Sequence, residues 1–557
     1  MTPSHRLRRF DLVSRAVCIG ALAASLTACV DAPGDDRDGA DDDPGLAAAI
    51  AAASSDGDAA ARHEPPSPGA PGIGDTLYPT LGNGGYLVKH YSLDLRYETA
   101  DPAQPLDGTV RILARATQSL SQFDLDFAGD SVGDVRVDGR RAQFTRDGED
   151  LVIVPAHPIR RGDLFVVTVS DFVATPGAPI QGVFDAAPFF FSGDGSGWAL
   201  QSAAAHTVFP CNDHPRDKAS FSFRIDVPEG TTAVANGVAT GVHTHRGRTI
   251  YRFEQRQPMA TELAQVAVGA LTVIERGRHA GVILRDVVPT RLAAALEPKM
   301  AGVTDHIDFM EGLVGDYPFA TYGEYAVDAP LNFALETQTL SVFDASIFNS
   351  VNAGSIMVHE LAHQWFGDSV APTQWTDVWQ NEGHAAWYEF SFRFGIDTPA
   401  FTSFMKSVYS ISDLLRFFFG PVAAPPSGDL LTLFNNNVYE GGALSLYALR
   451  QQVGDQAFRA IERAWVTEFR GRAAGTADFI ALASRVAGQD LTEFLTAWFF
   501  GTTTPAMPGH PDWTTRPPPQ VLAPQALGAA DPTALLPPDV AAALTPALDD
   551  GRVLLHR

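Results

Sequence analysis

The sequence predicts a multidomain α+β protein, in which an antiparallel β domain leads into a mixed α/β unit rich in helix. The chain has 557 residues, several times the usual length of one domain, so more than one structural unit is expected. Between about residues 86 and 276, apolar and polar residues alternate in short runs broken by Gly, Asp and Pro, the period-two pattern of strands. Beyond that point the apolar spacing lengthens to three and four over runs of a dozen or more residues, as in helices. Hydrophobic residues at 45% and charged residues at 19% exclude wholesale disorder.

At the N-terminus, Arg6, Arg8, Arg9 and Arg15 precede an apolar run over residues 16–28, which ends in Leu26-Thr27-Ala28 before Cys29. That layout is expected of a secretory signal peptide over residues 1–28, the run being too short to span a bilayer. The string Leu-Thr-Ala-Cys resembles the bacterial lipobox. The resemblance implies that Cys29 is the lipidation site and that the chain is exported and lipid-anchored at the cell envelope, with the membrane as a partner.

Residues 29–75 are first acidic and then Pro-rich, with few aromatics, and are expected to be a disordered tether. The N-terminal β domain follows over residues 76–276, with strands expected in HYSLDLRYE, GTVRILARATQ and DLFVVTVSDFVA. Residues 277–505 should form the α/β unit. In it LAAALEPKMAGVTDHIDFMEGLVG, SIMVHELAHQWFGDS and TDVWQNEGHAAWYEFSFRFG read as helix, and EYAVDAPLNFALETQTLSVF as strand. A Pro- and Ala-rich tail over residues 506–557 carries no periodic pattern. A net charge of −25 repels phosphate backbones, so no nucleic acid partner is expected. The three cysteines, Cys18, Cys29 and Cys211, are too few for a disulfide framework, and Cys211 is expected to be a buried thiol.

The chemistry gathers in His359-Glu360-Leu361-Ala362-His363. Two histidines four residues apart share one helix face, where both imidazoles can reach one zinc ion. Glu360 flanks that metal without binding it, as suits a base acting on water there. Catalytic zinc takes three protein ligands and keeps an open position. Glu382, nineteen residues after His363 at the start of the next helical run, can supply the third. Glu389, seven residues after Glu382 and on the same helix face, can orient a ligand histidine or stand as a solvated carboxylate.

With Glu382 in a Trp-x-Asn-Glu-Gly setting, these residues resemble the zinc aminopeptidases of peptidase family M1. Phe209-Pro210-Cys211-Asn212-Asp213-His214-Pro215 with Asp217-Lys218-Ala219 is similar to the family's Pro-Cys-x-Asp-x-Pro-x-x-Lys-Ala segment. Leu335-Glu336-Thr337 sits where the family carries Gly-x-Met-Glu-Asn, and Tyr439-Glu440-Gly441-Gly442 resembles its Tyr-Glu-Lys-Gly segment. The resemblance covers residues 85–510 and implies a β-sandwich or saddle domain, then a thermolysin-like α/β zinc peptidase domain, without the long helical C-terminal domain of larger members.

It also implies roles. His359, His363 and Glu382 would hold one Zn2+ per chain, Glu360 would move the proton, and Tyr439 would donate to the oxyanion. Glu336 would bind the α-ammonium of peptide substrates with a free N-terminus. The sequence departs from the family pattern where Phe333, Leu335 and Thr337 replace the motif's glycine, methionine and asparagine, where His384 replaces the usual aromatic, and where Gln201 is the one polar candidate in place of a common second amine-binding acid. Gln201 and Leu335 are taken as substrate-binding, and His384 as a wall residue rather than a fourth ligand. The expected activity is zinc-dependent removal of N-terminal residues from peptides. The alternatives are a zinc endopeptidase with the same site and a cell-surface protein that binds peptides with little turnover.

Overall fold

The computed structural model describes residues 43–53, 65–177 and 187–517. The expected signal peptide and Cys29 lie outside the described residues. The first body is β-rich, as its alternating sequence requires. In Leu164–Ala174, for example, Phe165, Val167 and Val169 point into the core while their neighbours remain partly exposed. Eight strands form its main sheet, centred on the pairing of Tyr86–Tyr97 with Leu106–Ala116. The sheet is mixed rather than purely antiparallel, because Ala219–Pro228 returns alongside Tyr86–Tyr97 in parallel. Two four-stranded sheets complete this body, and a shared core built around Tyr91, Trp198, Phe209 and Phe221 packs them together.

The second body has a six-stranded sheet and most of the helices. Its first hairpin, Leu271–His279 with Val282–Pro289, already belongs to this sheet, so the expected boundary at residue 276 cuts through a strand. Alternation is equally strong on both sides of that point, and composition therefore does not mark the change. The stretch read as one strand is three, Glu324–Val327, Ala334–Leu335 and Ser341–Asp344. Ala334–Leu335 is antiparallel to Ser341–Asp344 at the sheet edge and delivers Glu336 beyond its end.

The helices are α1 (Pro44–Ala53), α2 (Ala293–Leu296), α3 (Val303–Val314), α4 (Ala353–Ala362), α5 (Trp379–Phe394) and α6 (Pro399–Phe419), followed by α7 (Leu430–Leu433), α8 (Asn436–Val453), α9 (Asp455–Glu468), α10 (Thr476–Ala487) and α11 (Thr492–Phe500). Pro298 separates α2 from α3, which had read as one run, since proline cannot continue a helix. Gly488, left-handed at φ 67°, likewise ends α10 before α11. The sequence reading named no helix at α6, although Thr398 accepts from the Phe401 N–H and Pro399 opens the first turn.

Two stretches expected to lie outside the fold are partly inside it. Residues 44–53 of the expected tether form α1, residues 67–68 pair with Leu120–Asp126, and Asp75 is buried. In the expected tail, Trp513 is buried and stacks on Tyr447 with centroids 5.8 Å apart. Cys211 is buried and free, and burial pushes its thiol well above the usual range.

Candidate active site

Three elements meet at the site. Helix α4 carries His359 and Glu360, with His363 at its C-terminal cap. Helix α5 presents Glu382 in its first turn, where the helix dipole favours a carboxylate. Helix α8 is capped by Asn435, whose side chain accepts from the backbone N–H groups of Asn437 and Val438, and Tyr439 lies in its first turn. A bare crossing brings α5 and α8 together. A Cβ on Gly442 would stand 2.7 Å from Gly383 Cα, and one on Gly383 would stand 2.9 Å from Gly442 Cα. Only two glycines allow this approach.

His359 Nδ1 faces Glu389 Oε2 at 3.2 Å, and His363 Nδ1 faces the Phe366 carbonyl at 3.2 Å. A carbonyl can only accept, so His363 Nδ1 carries the proton and its Nε2 keeps the lone pair. Glu382 Oε2 lies 3.5 Å from His359 Nε2 and 3.3 Å from His363 Nε2. The three ligand atoms fall within 4.8 Å of one another and all three residues are buried. Two imidazole nitrogens and one carboxylate converging on one point form the donor set of catalytic zinc, and the residues present fit Zn2+. Glu389 is buried beside its histidine, so the solvated reading of this residue does not hold.

Glu360 is buried with Oε2 lacking any hydrogen-bond partner. Burial first, and then Glu336 and Glu382, push its pKa up to about 8 against the opposing pull of the two histidines. Burial would also raise Glu382, but His363 and His359 outweigh it and bring the carboxyl down to about 2. Glu336 Oε1 accepts from Gln201 Nε2 at 2.6 Å and lies 3.8 Å from His363 Nδ1. Gln364 holds this strand end in place, donating to the Glu336 carbonyl at 3.2 Å and accepting from Thr339 N–H at 2.9 Å. The Tyr439 ring stacks on His359 with centroids 5.9 Å apart. Its phenol is raised well above the usual range by burial and then by Glu382, Glu336 and Glu360.

Gln201, Leu335, Glu336, Glu360 and Tyr439 all line one cavity of about 620 Å3, together with the two histidines and Glu382. Phe333 lines it as well. His384 does not reach it, for its ring stacks on Phe366 with centroids 4.3 Å apart and its Nδ1 bonds the Gln380 carbonyl. The sequence reading missed the walls contributed by Tyr78, Asp429 and Phe434, which stand in no motif. Lys218, in the segment around Pro210, donates from Nζ to the carbonyls of Asp368 and Ser369. It thereby ties the β-rich body to the loop that follows the zinc helix.

The Peptidase family M1 domain profile matches residues 331–498, and the Peptidase M1 N-terminal domain profile matches residues 88–263. The chain is 25% identical over 376 residues to Aminopeptidase M1-B of Oryza sativa subsp. japonica, covering 63% of this chain but 41% of the rice protein. It is 25% identical over 455 residues to Leucine aminopeptidase 2 of Aspergillus niger, covering 74% of this chain and 70% of that protein. Among solved structures, an M1 zinc metallopeptidase from Deinococcus radiodurans superimposes with TM-score 0.69 at 28% identity, covering 78% of this chain and 99% of the other. A mutant of that enzyme bound to a Tyr-Ser-Ala substrate gives TM-score 0.70 at 27% identity. The chain thus spans less than half of the rice relative and nearly all of the bacterial structure. With both domain profiles matched in order and two-domain zinc metallopeptidases sharing the fold, the chain belongs to peptidase family M1.

Proposed function

We propose that the chain is a zinc-dependent aminopeptidase that hydrolyses the first peptide bond of peptides with a free N-terminus. One observation carries the reading: Glu336, held by Gln201, shares the cavity with the His359–His363–Glu382 set and stands 3.8 Å from one of its histidines. A free α-ammonium seated on that carboxylate leaves the next peptide bond close to the metal ligands. The names of the rice and Aspergillus relatives and the substrate-bound bacterial structure support the same reading.

Bound by His359, His363 and Glu382, zinc would supply a Lewis acid that acidifies water and polarises the scissile carbonyl. The remaining steps belong to the chain's own side chains. Glu336 and Gln201 fix the ammonium; burial raises the Glu336 carboxyl, so its charge is stabilised when the cation arrives. Blocked amines leave that buried group without its partner and are rejected. Glu360 takes a proton from the attacking water at its unpartnered Oε2 and returns it to the leaving nitrogen. Tyr439 keeps its proton at working pH and donates a hydrogen bond to the oxyanion that develops on the carbonyl.

Zinc-loaded protein incubated with leucyl dipeptides and their N-acetylated forms tests the assignment. Hydrolysis confined to free amines, lost on chelation and regained on zinc return, is the expected result. Cleavage of the acetylated peptides favours the endopeptidase instead.

Export and lipid anchoring at Cys29 form a further part of the proposal, supported by the layout of residues 1–29. Among the described residues no helix is long and apolar enough to cross a membrane. Palmitate labelling that disappears in Cys29→Ala is the expected result, and labelling unchanged by the substitution would remove this part.

A further inference from the structure

Residue Tyr78 lies ahead of the N-terminal domain profile, yet its ring forms part of the cavity wall. Its hydroxyl meets two groups: Ser202 Oγ at 2.7 Å and the Gly428 carbonyl. A phenol has one proton and a carbonyl can only accept, so Tyr78 donates to Gly428 and accepts from Ser202. Ser202 directly follows Gln201, which holds Glu336. The hydroxyl therefore joins the backbone beside the amine anchor to the segment leading into α7.

The ring itself has little freedom. Asp75 Oδ1 accepts from the N–H groups of Leu77 at 2.7 Å and Tyr78 at 3.1 Å, while Oδ2 accepts from Trp375 N–H at 2.7 Å. Trp375 packs edge-on against Tyr78 with centroids 6.0 Å apart. On its other side the ring lies against bare backbone, since a Cβ on Gly428 would come 2.9 Å from Tyr78 Cζ. A wall fixed in this way next to the ammonium site meets whatever side chain the first residue carries. The cavity's apolar lining includes Phe333, Leu335, Ala203 and Phe434, and Asp429 also lines the cavity.

Resting on the aminopeptidase reading, we propose that Tyr78 is a specificity-determining residue, the wall that limits the first side chain to compact apolar groups and rejects large aromatic ones. Truncating the ring would open the space it fills, and a hydrophobic pocket discriminates side chains by the volume it leaves them.

The test compares leucyl and tryptophyl anilides on wild type, Tyr78→Ala and Tyr78→Phe, with melting temperatures alongside. In Tyr78→Ala the tryptophan-to-leucine ratio of kcat/KM is expected to rise about tenfold or more. In Tyr78→Phe, which keeps the ring and loses the bonds, the ratio stays near wild type while KM rises as Gln201 loosens. A ratio unchanged in Tyr78→Ala overturns the proposal, whatever happens to the absolute rates. Tyr78→Val replaces the alanine variant if the latter does not fold, with the same two outcomes. Calorimetric titration of leucine and tryptophan into the zinc-loaded proteins reads the same preference without turnover. An inactive wild type would overturn the aminopeptidase reading alone, and the binding ratio would still decide for or against Tyr78.

Discussion

At the residue scale the chemistry is divided among side chains whose roles separate by experiment. In the proposed reaction Glu360 handles the proton and does not complete the donor set. Glu360→Gln is therefore expected to keep stoichiometric zinc while losing about 100- to 10,000-fold in kcat, as read by metal analysis and initial rates. A variant that also loses its zinc would contradict this division. In the same proposal Glu389 acts through His359, which it faces at 3.2 Å. Glu389→Ala should weaken zinc binding by about 10- to 100-fold, measured by competition with a chromogenic chelator. Glu360 and the metal-ligand set were legible because residues 359–363 and 382 fall at spacings that helix geometry turns into convergence. Whether Glu389 was solvated or paired was not legible, since burial depends on how α5 packs and no local pattern records that. Tyr78 was legible least of all, because a cavity wall is defined by what lies across the space and not by sequence neighbours.

At the element scale, the glycine pair shapes the site as much as any polar residue does. Gly383 and Gly442 let α5 and α8 touch, and those helices carry Glu382 and Tyr439. Gly442→Ala should destabilise the fold by about 1–3 kcal/mol through overpacking, visible in urea titration, and should lower kcat in the fraction that folds. Unchanged stability would mean that the crossing relaxes without strain. The sequence showed both helices but not their contact, and Gly within a helical run ordinarily only weakens the helix. The breaks at Pro298 and Gly488 follow from local backbone chemistry and could have been drawn from the sequence. The parallel return of Ala219–Pro228 beside Tyr86–Tyr97 could not, since long-range pairing leaves no periodic trace.

At the scale of the whole molecule, Asp75 joins the N-terminal segment to both bodies. It pairs with His214 Nε2 at 3.1 Å and accepts from Trp375 N–H at 2.7 Å. Burial alone would raise its pKa, but His214 and the N–H groups of Trp375, Tyr78 and Leu77 bring it from 3.8 to about 2. A carboxyl with a depressed folded pKa contributes stability that is fully present above its unfolded value and lost as pH falls through the folded one. The stability lost in Asp75→Asn should therefore be constant above pH 3.8 and shrink towards pH 2, with a plateau of about 1–3 kcal/mol. Chemical denaturation of both proteins across that range checks it, and a gap that widens on acidification would contradict the pairing. This long-range function of a residue expected to lie in a tether shows where composition stops being informative: an acidic, Pro-rich stretch can still end in a specific buried bond.

The central claim is that a single buried carboxylate makes this zinc site an aminopeptidase. Its most direct test is kcat/KM for leucyl anilide and acetyl-leucyl anilide in wild type and in Glu336→Ala, with zinc content confirmed in each. Strong preference of the wild type for the free amine, falling by about 100-fold or more when Glu336 is removed, is the result predicted. An equal preference in both proteins would contradict it and place amine recognition elsewhere in the cavity.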